Sequence, residues 1–452
     1  MNFHDMLARR ADEDRPVRVG LVGAGKFGSM FLSQARRVAG LHVLGIADLD
    51  PARARENLRR IGWEPERHAA ASFADALNSG TTYVADDAAA LIAADGLDVV
   101  IDATGSPAAG IRHVELACRH RRHIVMVNVE ADALAGPLLA AKAREAGIVY
   151  SLAYGDQPAL IAEMVDWART CGFEVAAAGK GTKYLPEYHA STPETVWAYY
   201  GITPERARLG GMNPQMFNSF LDGTKSAIEM AAVANACGLA CPRDGLSFPP
   251  VGVDALPHVL RPKVDGGLLE GRGMVEVISC LNRDGTPVER DLRWGVYVSF
   301  AAQDDYAARC FAEYGLVTDE SGVYTAMYKP FHLIGLELAV SVASAALRGE
   351  PTGAPKAWHG DVVSVAKRDL DAGESLDGEG GATVWGKLMP AADSLGLGGL
   401  PIGLAHGVKL KSAVAAGTPV RWQDVAIDGA DHAVRVRREM ETAFAPSARA
   451  AE

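Results

Sequence analysis

The chain has 452 residues, is 48% hydrophobic and carries a formal charge of -11, enough apolar material for two or three domains. The negative balance argues against nucleic acid as a partner. No apolar run approaches a membrane span, the polar stretch Met1 to Arg15 is unlike a signal peptide, and six cysteines include no C-x-x-C pair, so a soluble cytoplasmic enzyme is expected.

After a short leader helix from Phe3 to Arg10, Val17-Arg-Val-Gly-Leu-Val22 reads as a buried parallel strand. It runs into Gly23-Ala-Gly-Lys-Phe-Gly28, a G-x-G-x-x-G turn that opens a helix. In such a turn the first glycine bends the chain, the second lets a pyrophosphate approach the backbone, and the third lets helix and strand pack closely. Lys26 and Phe27 lie inside the loop. A second apolar run, Leu41 to Ala47, ends at Asp48, twenty residues past Gly28, where an acid reaches the adenosine ribose. Asp48 favours NAD. Arg53 and Arg55, at the start of the next helix, would suit the 2′-phosphate of NADP, and the sequence leaves the choice open.

Strands and helices alternate to about residue 155. Leu97 to Ser106 is a further strand whose turn, with Thr104 and Gly105, is expected near the nicotinamide half of the cofactor. His123 to Asn128 and Ile148 to Leu152 complete the sheet. A helix then spans Gln157 to Thr170 and a strand Phe173 to Gly179, before a polar and aromatic stretch, Lys180 to Asn218. Lys225 to Gly238 reads as a small-residue helix continuous with Ser219 to Phe220. On that reading Asp222, Lys225 and Glu229 fall at i, i+3 and i+7 on one face, and a desolvated lysine held by acids can protonate a carbonyl oxygen during hydride delivery. Lys180, Lys183, Lys225, Arg261, Lys329 and His332 are expected to give a cationic pocket for a phosphorylated or carboxylated substrate. Glu130, Asp132 and Glu229 could supply oxygen ligands to a metal, but no spacing names a site. Cys237 and Cys241, one helical turn apart, read as buried thiols.

Near the end, Lys367-Arg-Asp-Leu-Asp-Ala-Gly-Glu-Ser-Leu376 and Lys411-Ser-Ala-Val-Ala-Ala-Gly-Thr-Pro-Val420 repeat Lys-x-x-apolar-x-Ala-Gly-x-x-apolar. This resembles the β-clip of the SAF domain. The helix with Asp222 and Lys225 after a nucleotide-binding domain resembles the homoserine dehydrogenase family. There the resemblance implies that a lysine and an aspartate serve alcohol–aldehyde chemistry, although that family's Ala-Asn-Lys is here Asn128-Val-Glu-Ala-Asp132.

Together with the repeat, Gly-Ala-Gly-Lys-Phe-Gly, Asn128 to Asp132, Gly179-Lys-Gly-Thr-Lys-Tyr184, Asp222-Gly-Thr-Lys225 and Tyr328-Lys-Pro-Phe-His332 resemble the 1-deoxy-D-xylulose 5-phosphate reductoisomerase-like (DRL) enzymes. That resemblance implies an NADPH-linked (or NADH-linked) enzyme that rearranges this ketose phosphate and reduces it to 2-C-methyl-D-erythritol 4-phosphate, with Mg²⁺ or Mn²⁺ and as a homodimer. In its terms Lys225, Lys183 and Asp222 are catalytic. Glu229, Lys329, His332, Tyr328 and Lys180 bind substrate, and Asn128 and Glu130 join the glycine loop at the cofactor.

The expected architecture is α/β: a Rossmann-type doubly wound parallel sheet (1–155), an α+β catalytic and oligomerisation domain (156–355) and a small β-rich SAF-like module (356–452). Alternatives are a homoserine-dehydrogenase-like oxidoreductase of a sugar acid, polyol or semialdehyde, and a non-catalytic cofactor sensor.

Overall fold

The computed structural model describes residues 2–445. The chain divides into two compact units, one formed by Met1–Leu160 with Leu333–Ala354 and the other by Ile161–His332 with Pro355–Glu452. The sequence places 333–354 with the central domain. The structure instead packs the helix Ala339–Arg348 on the sheet of the first unit, because Leu338, Val342 and Ala343 complete that unit's core.

The first unit is a six-stranded sheet. Its strands are β1 (Val17–Val22), β2 (Leu41–Ala47), β3 (Tyr83–Ala85), β4 (Val99–Asp102), β5 (His123–Met126) and β6 (Tyr150–Leu152). They pair in the order β3-β2-β1-β4-β5-β6, all parallel. The β1 residues Val19 and Leu21 and the β4 residues Val99 and Ile101 are fully buried, as a sheet covered on both faces requires. The strand order reverses between β1 and β4, and the carboxyl ends of these two strands frame the crevice where such sheets bind ligands.

The second unit holds a mixed sheet of β7 (Glu174–Thr182), β8 (Met274–Ser279), β9 (Val296–Ala301) and β10 (Tyr324–Lys329). Its order is β10-β9-β7-β8, with β7 and β8 parallel and the other pairs antiparallel. The helix Thr224–Cys237 packs against β7 and β8 and also against β11 (Gly360–Ala366) and β12 (Val384–Pro390). Its Ala, Ile, Met and Val residues cover every side, so the whole helix is buried except Lys225.

β11 and β12 pair antiparallel, and the two repeated segments fold about a local two-fold axis. Leu370 and Val414, equivalent in the repeat, exchange both backbone hydrogen bonds at 2.9 Å. Gly373 N donates to Leu410 O as Gly417 N donates to Ala366 O, and Leu376 N donates to Val408 O as Val420 N donates to Ser364 O, all at 2.8 Å. The glycines take φ +87° and +74°, which L side chains avoid. The final helix, His432–Ala443, is tied to β11 by the buried Arg437, whose guanidinium donates to both Asp361 oxygens at 2.9 and 2.6 Å and to Glu441 at 3.0 Å.

Candidate functional site

In the first unit the three glycines have three separate physical reasons. Gly23 sits at φ +93°, and a Cβ there would meet Ala103 O at 2.8 Å. A Cβ on Gly28 would lie 2.2 Å from Gly23 O, so only glycine lets the helix Lys26–Ala35 approach β1 this closely. Gly25, the N-cap of that helix, has nothing within 4 Å of its Cβ position. An open second glycine before a free helix N-terminus fits a pyrophosphate. Lys26 is exposed in this loop, and Phe27 is half-buried against the core.

Asp48 stands at the end of β2. Its Oδ2 accepts from Ala24 N at 2.8 Å, which ties the acid to the glycine loop, and its Oδ1 accepts from Asp50 N at 2.9 Å and Arg53 Nη2 at 3.2 Å. The carboxylate is buried and the arginine exposed. Arg55 donates to Val84 O instead, so Arg53 is the arginine held at the acid.

At the switch point Asp102, fully buried at the end of β4, gathers a network that sequence reasoning missed. Its Oδ1 accepts from Thr104 N at 2.9 Å and Thr104 Oγ1 at 2.7 Å, and its Oδ2 pairs with His113 Nδ1 at 3.1 Å. Asn128 Nδ2 donates to Thr104 Oγ1 and Ser106 O at 3.1 and 2.8 Å, while its Oδ1 caps the helix Val129–Glu145 through Ala131 N. Thr104 and Asn128 thus shape the crevice edge beside an exposed Gly105. Glu130 is half-buried in the first turn of that helix. Asp132, in the same turn, is fully buried. Its Oδ1 accepts from Tyr150 OH at 2.7 Å while its Oδ2 has no partner, and burial raises its pKa to about 7.

In the second unit the expected face of Asp222, Lys225 and Glu229 is not formed. One helix ends at Leu221 and the next begins at Thr224, because Gly223 takes φ +88° and breaks the run. Asp222 accepts from Thr224 N through Oδ1 at 2.9 Å, and its Oδ2 forms a buried ion pair with Lys367 Nζ at 2.8 Å. It is therefore occupied away from Lys225. The same lysine donates to Ser191 O and Gly381 O, whereas its repeat counterpart Lys411 is exposed. Lys180 and Glu229, both expected at the substrate, form a buried ion pair with each other.

Lys225 remains half-buried at the start of its helix. Lys183 donates to Tyr199 O and lies 5.4 Å from the Tyr200 ring centroid. Burial, helped by the nearby positive charge of Arg293, lowers its pKa. Lys329 lies 5.4 Å from the Phe331 ring centroid, His332 Nδ1 donates to Trp294 O at 2.7 Å, and the exposed Tyr328 is 3.5 Å from Arg290. Arg261 is taken up by Asp319 and Glu320 and is not part of a cationic pocket. Cys237 and Cys241 are buried, and burial pushes the Cys237 thiol up to about 12. Among the described residues no group of three or more His, Cys, Asp or Glu side chains could hold a metal ion, and no helix is long and apolar enough to cross a membrane.

Residues 155–338 match the family model "Oxidoreductase DRL, catalytic domain", so this stretch is an oxidoreductase catalytic domain. No curated protein matches the chain. Among the solved structures similar to it in part are the following three. A probable dehydrogenase from Thermotoga maritima has 13% identity and a TM-score of 0.38, over 74% of this chain and 90% of that one. A 1-deoxy-D-xylulose 5-phosphate reductoisomerase from Zymomonas mobilis, in complex with NADPH, has 18% identity and a TM-score of 0.32, over 48% of this chain and 57% of that one. A homoserine dehydrogenase from Thiobacillus denitrificans has 20% identity and a TM-score of 0.35, over 50% and 49%. The chain thus spans less than two thirds of the reductoisomerase and of the homoserine dehydrogenase.

Proposed function

We propose that this protein is a nicotinamide-dependent oxidoreductase of the DRL group, acting on a small carbonyl compound that carries a phosphate or carboxylate. The observation that carries this reading is the match of 155–338 to the DRL catalytic domain, in a chain whose first unit has the geometry of a dinucleotide loop at Gly23, Gly25 and Gly28. The bound cofactor supplies the hydride. Gly25 and the helix N-terminus hold its pyrophosphate and Asp48 its ribose, and Arg53, beside that acid, takes the 2′-phosphate of NADPH.

In the second unit Lys225, the one residue of its helix that is not buried, donates the proton to the alkoxide left by hydride addition. Lys183 and Arg293, two cations close enough for one to depress the pKa of the other, bind the anionic group of the substrate. Asp222 acts as a positioning residue. Its carboxylate holds Lys367 and accepts from Thr224 N, the first backbone N–H of the helix that presents Lys225. Of the carboxylates considered for a metal, Glu229 is paired with Lys180, and among the described residues no group of three or more His, Cys, Asp or Glu side chains could hold one.

The specific reaction we propose is reduction with rearrangement of 1-deoxy-D-xylulose 5-phosphate, by a homodimer with an SAF-like C-terminal module. The test is oxidation of NADPH, with NADH in parallel and with or without Mg²⁺ or Mn²⁺, with product identification by mass spectrometry. Formation of 2-C-methyl-D-erythritol 4-phosphate is the expected result. Oxidation of NADPH with an amino-acid semialdehyde, a keto sugar acid or the carbonyl form of a polyol alone would replace this substrate and keep the reaction class.

A further inference from the structure

The second unit contains a cavity of about 250 Å³ that the proposed reaction does not use, roughly the volume of eight liquid waters. It opens between the loop Asp244 to Phe248, strand β12 and the turn at Gly417. Ala227 lines it from the helix Thr224–Cys237. At about 100° per residue, Lys225 and Glu229 project roughly 160° away from Ala227. The cavity therefore lies on the opposite face of that helix from the proposed proton donor.

Its walls are held rigidly. His189 stacks on Trp385 with ring centroids 3.8 Å apart. Its Nδ1 donates to Asp222 O at 2.7 Å, so its Nε2 accepts from Tyr184 OH at 3.0 Å. With both ring nitrogens engaged, His189 is a wall and not an acid or base. Phe248 stacks on Tyr184 at 4.0 Å and adopts φ +48°, a strained conformation for a bulky residue. The buried Glu276 fixes it, accepting from Ser247 N at 3.1 Å, Ser247 Oγ at 2.6 Å and Phe248 N at 3.4 Å.

Against these aromatic walls stand two charges, Lys387 and Asp244. The Lys387 stem lies over Gly245, where a Cβ would come within 2.9 Å of its Cε. Among the described residues its ammonium has neither a hydrogen-bond nor an ion-pair partner. A half-buried, uncompensated cation calls for an anion. The exposed carboxylate of Asp244 can accept from a hydroxyl, and the aromatic walls take a small carbon skeleton.

We infer that this cavity is a second small-molecule site, for a hydroxylated acid whose carboxylate or phosphate is held by Lys387.

Calorimetric titration of the full chain, without nicotinamide, tests this with sodium D-gluconate, sn-glycerol 3-phosphate and D-mannitol as probes. Because no turnover is read, failure here is distinguishable from failure of the proposed reaction. At least one acid is expected to bind, at least about ten-fold more tightly than mannitol, with gluconate against glycerol phosphate separating the carboxylate from the phosphate source. Lys387→Gln should weaken that binding at least about ten-fold, and Lys225→Ala should change it less than about two-fold. Absence of binding by either acid, undiminished binding by Lys387→Gln, or loss of binding in Lys225→Ala would each overturn the inference.

Discussion

Asp132 gives the sharpest physical prediction. Its carboxyl is fully buried, one oxygen accepts from Tyr150 OH and the other has no partner. A Cβ on Gly136 would come within 2.6 Å of Oδ1, so the carboxyl packs directly against the glycine backbone. Burial raises its pKa from 3.8 to about 7. The native state therefore keeps a proton that the unfolded chain releases above 3.8. The stabilisation is fully present below that value and is lost as pH rises through about 7. At about 1.4 kcal/mol per pH unit, the charged form costs the native state at most about 4 kcal/mol at pH 8.

Asp132→Asn keeps an oxygen for Tyr150 and removes the charge. The variant should match the parent near pH 4, where both side chains are neutral, and exceed it at pH 8. For a unit of this size the gain amounts to a rise in Tm on the order of 10 °C. Calorimetric scans of both proteins across this range measure it. Equal Tm at pH 8, or a variant less stable there than at pH 4 relative to the parent, would refute the argument.

Three further perturbations probe the candidate sites. Gly25→Ala meets open space, so Tm should hold while NADPH affinity, read by fluorescence titration, falls at least about ten-fold; unchanged affinity would remove the loop from the cofactor site. Glu229→Leu strands the buried Lys180 and should cost about 3–5 kcal/mol in urea denaturation, most of it recovered in the double variant with Lys180→Leu. A single variant as stable as the parent would contradict that pairing. Lys225→Ala should lower kcat by about 100-fold or more with circular dichroism unchanged, and near-normal turnover would discard Lys225 as proton donor.

The six-stranded half was legible because its signals are local. The buried β1 and the three glycines lie within a dozen residues; Gly23 and Gly28 have the steric reasons their positions implied, and Gly25 faces open space. The repeat near the end was legible for the same reason, and its two copies bond reciprocally. The surroundings of Asp222, Lys225 and Glu229 were not, since they depend on partners remote in sequence. Gly223 could have warned of a helix break, being a left-handed position just before a small-residue run. Nothing near Asp222 announces Lys367, 145 residues on, and nothing near Lys180 announces Glu229. Asp102 closes the strand read as Leu97 to Ser106, but its role depends on His113 and Asn128, which only the folded crossover brings to it.

The central claim is hydride transfer from a nicotinamide carrier. The direct measurement uses NADPH deuterated at the nicotinamide C4, incubated with the protein and a panel of phosphorylated and carboxylated carbonyl compounds, 1-deoxy-D-xylulose 5-phosphate among them. Deuterium on the carbinol carbon of one product, seen by mass spectrometry and formed about 100-fold or more slowly with Lys225→Ala, is the predicted result. NADPH that binds yet transfers no deuterium to any member of the panel would contradict the account and leave a cofactor-binding sensor in its place.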